Sequence, residues 1–158
     1  MSFPDKLYTE EQLKIARELI AKGYRHDLKI EGSKEFVKKV KDSLKLIEAA
    51  GYMDFIRSYI RRIVEKEGFS QLRECELTIW ANQYTVADPV EAASLWVQKA
   101  EQTRLYIQRM MHVGGEAEAR TTAKRIRFLQ DLKDRVEDPK LKRSCEEKLR
   151  RWRDSILL

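Results

Sequence analysis

The sequence predicts an α+β fold that is predominantly helical, with about six helices and a small sheet of two to three strands. Charged residues make up 37% of the 158 residues, and the chain has only 6 Gly and 3 Pro, a composition typical of long solvated helices. Apolar residues recur at helical spacing over most of the chain. Two shorter segments instead have the alternation, or the β-branched and aromatic content, of strands. An all-α bundle is the alternative.

A helix and a short strand are predicted at the N-terminus. Thr9 and Gln12 have the spacing of a capping box, and Gly23 stands where a helix would end, so the first helix is expected over 9–22. The segment 24–30 then alternates apolar or aromatic residues with charged ones. This alternation predicts a short, half-buried strand.

Two helices and a second strand are predicted next. Ser33 can cap a helix whose apolar spacing continues to Gly51, and another helix is expected directly afterwards, as far as Lys66. Residues 68–74 are interpreted as a connection. Residues 75–86 contain Thr, Ile, Trp, Tyr and Val with few charges, so we interpret them as a strand, with the start of the following helix as the alternative.

Three more helices are predicted to complete the chain. Asp88 followed by Pro89 favours a helix start, because proline is well tolerated at the first helical position after a cap residue. Apolar spacing then continues to Gly114 and Gly115, which are expected to end this helix. Two further helices are expected over 116–137 and 139–155.

Composition also bounds the function. The net charge of +6 is the difference between 32 basic and 26 acidic side chains, which are interleaved and therefore weaken a nucleic-acid interpretation. Cys75 and Cys145 lack the spacing of a metal site or a disulfide scaffold and are expected to be reduced thiols. No signal peptide or membrane-length apolar run is present, so we expect a cytoplasmic protein. The single Asn82 among abundant Glu, Lys and Arg favours a heat-adapted host.

The helix that begins at Asp88 carries a row of polar side chains in the most hydrophobic third of the chain. With His, Glu and His in place of Gln98, Lys99 and Gln102, the segment would have the H-E-x-x-H motif. In that motif two histidines on one helix face hold zinc, and the glutamate polarises the zinc-bound water. Together with the order strand, helix, helix, strand, motif helix, helix, this segment resembles small zincin-like metallopeptidases with a glutamate as third ligand.

The resemblance implies a role for each position. Gln98 and Gln102 stand where the zinc-binding histidines would be, Lys99 stands where the general base would be, and Glu118, or alternatively Glu116, stands at the third ligand. The likeness covers residues 28–136. The length of 158 residues predicts a single domain over 1–158. With the resemblance, this domain consists of an N-terminal helix over 9–22, a zincin-like core over 26–137 and a C-terminal helix over 139–156.

The departures from this motif indicate a metal-free pseudoenzyme with no cofactor and no catalytic residue. A glutamine amide is a poor zinc ligand. The ammonium of Lys99 would repel a dication, and it cannot act as a base at neutral pH without a large fall in its pKa. As a hypothesis, an ion pair between Lys99 and Glu118 occupies the vacated site.

A simpler interpretation is that Gln98 and Gln102 form an outward-facing, solvated pair. Against it, Leu95, Leu105 and Arg109 extend the same helix face into a mixed row. A mixed row is typical of a cleft or of a contact with a partner.

His112 lies close in sequence to Glu116 and Glu118, which makes these three residues weak candidates for a divalent metal site or for an unrecognised active site. The alternative is a histidine that interacts with the dipole at the end of a helix. Among the aromatic residues, Trp80 and Tyr84, with Trp96 nearby, are expected to form a core cluster rather than a base-stacking platform.

The sequence thus favours a non-catalytic domain that binds a protein or peptide partner in a pseudo-active-site cleft. The alternative is a basic accessory module that contacts nucleic acid through its C-terminal helical hairpin, where KLRRWR forms a local basic patch among acidic residues. No membrane contact is expected. The oligomeric state is left open.

Overall fold

The computed structural model describes residues 2–157, so Met1 and Leu158 lie outside it, and the side chains of Ile156 and Leu157 are not described. Over the described residues it confirms a predominantly helical α+β fold. The helices are α1 (Glu10–Ala21), α2 (Lys34–Ala49), α3 (Met53–Tyr59), α4 (Pro89–Ile107), α5 (Gly115–Arg135) and α6 (Pro139–Leu157), and the strands are β1 (Lys29–Glu31), β2 (Arg62–Glu65), β3 (Gln71–Arg73) and β4 (Thr78–Ala81).

The predicted helix starts are formed by side-chain caps. Thr9 and Gln12 make the reciprocal capping box at α1, and the Ser33 hydroxyl accepts a hydrogen bond from the Phe36 amide at the start of α2 (3.2 Å). Asp88 accepts from the amides of the first turn of α4. Each cap satisfies amide groups that a helix leaves without an internal partner.

The sheet has four strands rather than the two or three that were predicted, in the spatial order β1-β2-β4-β3. The pairs β1–β2 and β2–β4 are parallel, whereas β3 pairs with β4 in the antiparallel direction. The chain passes from β1 to β2 through α2 and α3, as a parallel pair requires a long crossover. The outcome is a mixed sheet with an antiparallel edge strand.

The prediction of a third helix as far as Lys66 is wrong. Helix α3 ends at Tyr59, and the following residues form β2, with Ile63 fully buried between its neighbours on β1 and β4. The spacing of Ile60, Ile63 and Val64 fits a helix and does not alternate as a strand would, so periodicity favoured the wrong element. The β-branched residues Ile63 and Val64 were the better guide.

The segment 68–74 is more than a connection, because it contains β3, which pairs with β4. The strand interpretation of 75–86 is correct only for Thr78–Ala81, since Glu74–Glu76 form a single 3-10 turn and 83–86 form a turn. Short strands of three or four residues give too few alternations to be recognised from sequence.

The last three helices agree with the prediction in order and shift only at their ends. Helix α4 ends at Ile107, several residues before Gly114 and Gly115. At the end of α2, Gly51 has a φ of +80°, and the Arg135 side chain from α5 packs against it and donates to the Ala50 carbonyl at 2.7 Å. A side chain at position 51 would be strained and would displace this contact.

The two faces of the sheet differ in character. Ile63, Leu72 and Ile79 belong to the main hydrophobic core, which includes Trp96 on α4 and Phe128 on α5. The alternate strand positions carry polar or half-buried residues on the opposite face, as expected from the two-residue period of a strand. A second, smaller core joins α1 to the end of α4 through Leu7, Leu13, Ala16, Leu77 and Ile107. Within the described residues, no helix is long and apolar enough to cross a membrane.

His26 is a buried histidine with an unsatisfied nitrogen. It is 3% exposed and packs edge-on against the rings of Phe3 and Tyr24, with centroids 4.5 and 5.0 Å away. Its Nε2 has no hydrogen-bond partner in the described part of the chain. Burial, together with the nearby charge of Arg61, lowers the pKa of His26 to about 4.

We therefore expect stability to fall as the pH is lowered from about 6.5 towards about 4. In this window the unfolded chain binds a proton that the folded chain excludes. The loss should reach about 3 kcal/mol, at about 1.4 kcal/mol for each unit of pKa difference. Urea denaturation at several pH values measures it. His26→Phe should flatten this dependence, whereas His112→Phe, which keeps His26, should retain it; equal slopes in both variants would contradict the assignment.

Candidate functional site

Helix α4 is held in one rotation by its buried face. Trp96 is fully buried and its indole N–H donates to the Ser43 hydroxyl of α2 at 2.8 Å. Val97 and Ala100 are also fully buried. With this face directed into the core, Ser94 and Gln98 are turned towards α5, one helical turn apart.

Helices α4 and α5 are antiparallel, and their hydrogen bonds define the register. Ser94 Oγ accepts from the Arg125 Nε at 2.8 Å, and Gln98 Nε2 donates to the Thr122 hydroxyl at 3.4 Å. Each step of one turn along α4 therefore corresponds to one turn back along α5. From this register, Gln102 is expected one turn further along, on the helix surface that faces Glu118.

The central residue of this interface is Arg125, which the sequence analysis did not single out. Its guanidinium donates to Gln98 Oε1 at 2.8 Å, to Ser94, and to both the carboxylate and the carbonyl of Glu91. It also lies over the ring of Trp152 on α6, 4.9 Å from the centroid. One signal was available, because Arg125 falls on the buried stripe of α5 with Phe128, Leu129 and Leu132.

Arg125 carries a buried charge in the middle of three helices. Burial lowers its pKa, and the carboxylate of Glu91 opposes that shift. A guanidinium remains protonated in proteins. Between α4 and α5 the protein thus holds a permanent cation, hydrogen-bonded on the α4 side to the position where the resemblance expects a metal ligand.

Lys99 is half-buried beside this cluster. Burial is the main cause that lowers its pKa; the charge of Arg125 adds to the effect and that of Glu74 opposes it. The hypothesised ion pair with Glu118 is not formed: Glu118 is exposed, and among the described residues no salt bridge joins it to Lys99. The charges that affect the pKa of Lys99 belong instead to Arg125 on α5 and to Glu74 in the turn that follows β3.

The row proposed to line a cleft is not one continuous surface. Leu95 is partly buried and packs against the main core, and Leu105 is fully buried. Arg109 lies beyond the end of α4 with a φ of +61° and forms a salt bridge with Glu10 of α1. Gln98 and Gln102 remain the half-buried polar part of that row, and Lys99 next to Gln98 is also half-buried.

The weaker metal candidates do not converge. His112 packs edge-on against the ring of Tyr106, 5.0 Å away, and Glu116 pairs with Arg120 one turn further along α5. Among the described residues, no three or more His, Cys, Asp or Glu side chains are arranged to hold a metal ion.

The prediction that Trp80, Tyr84 and Trp96 form a core cluster is wrong. Trp96 belongs to the core, but Tyr84 is 90% exposed on the loop after β4, and Trp80 is half-buried on the open face of the sheet. The strand alternation explains the difference, since Ile79 and Ala81 are the inward positions of β4 and Trp80 points the other way.

Several cations of the C-terminal hairpin join the helices rather than face solvent. Lys148 is buried and donates to Asp88 at 2.7 Å and to Ser144 at 3.0 Å. Lys124 lies over the ring of Phe55, and Arg125 is buried as described. These roles reduce the basic surface available for nucleic acid on the hairpin.

The chain matches no protein-family model, and no curated protein and no solved structure matches it significantly.

Lys148, which is buried, and Lys99, which is half-buried, provide a matched pair for measuring stability. Lys148→Met should lower the free energy of unfolding by about 1–3 kcal/mol, because it removes a charge-assisted hydrogen bond to Asp88. Lys99→Met should leave the stability near neutral pH unchanged or raise it, because it removes an ammonium that burial disfavours. Urea denaturation of both variants measures the difference.

The pH dependence checks the same assignment. The folded chain releases the Lys99 proton at lower pH than the unfolded chain does, so wild-type stability should gain on Lys99→Met as the pH rises towards about 10. Equal destabilisation by Lys99→Met and Lys148→Met would contradict it.

Proposed function

We propose that the chain is a non-catalytic, pseudo-metallopeptidase-like domain that binds an extended peptide or a protein segment beside α4. The observation that carries this proposal is the position of Arg125. Its guanidinium is hydrogen-bonded to Gln98, one of the two positions that the zincin resemblance assigns to zinc-binding histidines. The resident charge between the helices is therefore an arginine of the chain itself.

The chemistry of these side chains disfavours hydrolysis by a metal-bound water. A dication placed beside Gln98 would be repelled by the buried guanidinium of Arg125 and by the ammonium of Lys99. A glutamine amide and a single carboxylate, that of Glu118, would have to retain the ion, and neither replaces an imidazole ligand. The same residues can serve recognition instead, as polar groups with fixed positions.

The order of elements adds support. The chain runs strand, two helices, strands, α4 and α5, the order on which the resemblance rests. The strand before α4 is accompanied by β3, an antiparallel strand at the edge of the sheet with β4 as its partner. An edge strand offers backbone amide and carbonyl groups to which an extended peptide can add.

Polar side chains on α4 also support a binding role. Lys99 and Gln102 are half-buried, and within the described residues neither side chain has a hydrogen-bond partner. Glu74, in the turn that directly follows β3, lies close enough to influence the pKa of Lys99. Half-buried polar groups near the turn that follows an edge strand can give orientation and specificity to a bound chain. We propose that the partner is met in the cytoplasm.

Peptide binding is tested with peptides selected from a random display library on the wild-type chain. We expect the pair Lys99→Gln and Gln102→Leu to weaken binding of the selected peptides at least tenfold, because it removes the charge of Lys99 and the amide of Gln102 that orient the peptide. Fluorescence anisotropy measures the affinities.

A matched control is available in the groove between α5 and α6, which Gln130 and Lys133 line together with Trp152. The pair Gln130→Leu and Lys133→Gln makes the same chemical changes there and should leave the affinities within about twofold. A library that yields no binder, or a loss that follows the groove pair instead, contradicts the proposed site.

The vacated metal site is tested by rebuilding it. The changes Gln98→His, Lys99→Glu and Gln102→His restore the motif, and Arg125→Leu removes the guanidinium bonded to position 98. Calorimetry should show about one zinc ion bound tightly by the fourfold variant, and weaker binding by the threefold variant because the buried cation repels the ion.

Two further substitutions test which of two neighbouring glutamates is the third ligand. In the fourfold background, Glu118→Gln should reduce zinc affinity at least tenfold, since Glu118 lies opposite Gln102 in the helix register, while Glu116→Gln should have little effect. A fourfold variant that keeps its helical circular dichroism yet binds no zinc shows that these positions do not converge, and the resemblance then fails.

A further inference from the structure

The face of the sheet that is turned away from the core carries a row of cations. Strand pairing aligns Lys29 with Arg62, Arg62 with Thr78, and Thr78 with Arg73. These four residues lie side by side across all four strands and point to the same face. With strands about 4.8 Å apart, the row spans about 14 Å.

An aromatic ring lies beside this row. Trp80 is half-buried on the same face, with the guanidinium of Arg73 4.7 Å and the ammonium of Lys66 5.4 Å from its centroid. A shallow depression of about 480 Å³ lies here, and its walls include Arg62, Lys66 and Trp80. Arg62, Lys66 and Trp80 are thus reached from one opening, and Lys66 and Arg73 lie over the ring.

The acidic residues around the depression are fewer than the cations, and one of them is neutralised by an ion pair. Glu76 on its rim pairs with Lys6, which lowers the pKa of Glu76. Asp5 and Glu31 also lie at the rim. Lys29, Arg62, Lys66 and Arg73 take part in no salt bridge within the described residues, which leaves an excess of free positive charge on this face.

We propose that this open sheet face binds single-stranded nucleic acid. The phosphates would lie along the row formed by Lys29, Arg62 and Arg73, and one base would stack on Trp80 in place of the exposed Lys66 side chain. A positively charged surface that follows the backbone, combined with an aromatic ring for a base, is the arrangement by which proteins bind single strands without sequence preference. An acidic peptide would need the cations but would have no use for the ring. This proposal is independent of the peptide site beside α4.

The test uses a fluorescein-labelled single strand of mixed sequence, about 12 nucleotides long, and fluorescence anisotropy at about 50 mM salt. The double variant Lys29→Ala, Arg62→Ala should lose at least tenfold in affinity. Its salt dependence should also become shallower, by about 1.4 in the slope of log affinity against log salt, since two phosphate contacts are lost. Both side chains are exposed, so the fold should be retained.

The matched control removes two exposed cations from the C-terminal helix. Arg150→Ala, Arg153→Ala lowers the net charge by the same amount and should leave the affinity within about twofold. Stacking is tested separately: Trp80→Leu should weaken binding about tenfold and Trp80→Phe much less, because phenylalanine keeps an aromatic face.

Three results would overturn the proposal. The first is no anisotropy change at about 50 mM salt. The second is an equal loss in the sheet and C-terminal double variants, which would show that binding follows net charge alone. The third is equal competition by a poly-glutamate peptide, which would identify the face as a site for acidic peptides.

Discussion

The arrangement of the last three helices depends on the hydrogen bonds and the ring contact that the guanidinium of Arg125 makes. It hydrogen-bonds Ser94, Gln98 and Glu91 on α4 and lies over Trp152 on α6, while its own backbone belongs to α5. A buried charge is costly unless its hydrogen bonds are satisfied. The geometry of these partners therefore fixes the register of α4 against α5, and with it the facing positions that define the candidate site.

Much of the helical framework could be predicted because its signals are local. Three helix starts are determined within a few residues by the capping box at Thr9, the cap at Ser33 and the Asp88–Pro89 pair. The chemistry of a cap does not depend on distant parts of the chain. Strands β2 and β3 were missed for the opposite reason. Three or four residues become a strand only when partners are present, and those partners come from separate parts of the chain.

The candidate site was predictable only in part. The polar row on α4 could be recognised, because its spacing is a property of one helix. The surroundings of this row depend on which side chains of α5 reach it. The sequence of α4 alone does not indicate that Arg125 hydrogen-bonds Gln98, or that the expected ion pair between Lys99 and Glu118 does not form. Likewise, the sequence around Trp80 and Trp96 does not show which of the two rings is buried. Only the pairing of β4 within the sheet shows that Trp80 points away from the core, whereas Trp96 lies in it.

Asp88 links two helices, α4 and α6, that are far apart in the sequence. One of its carboxylate oxygens caps the first turn of α4, and the other accepts from Lys148 on α6. The C-terminal helix therefore cannot detach without removing a partner from the residue that starts α4. The two helices should behave as one cooperative unit, so their amide protons should exchange with solvent through shared opening events rather than by fraying of α6 alone.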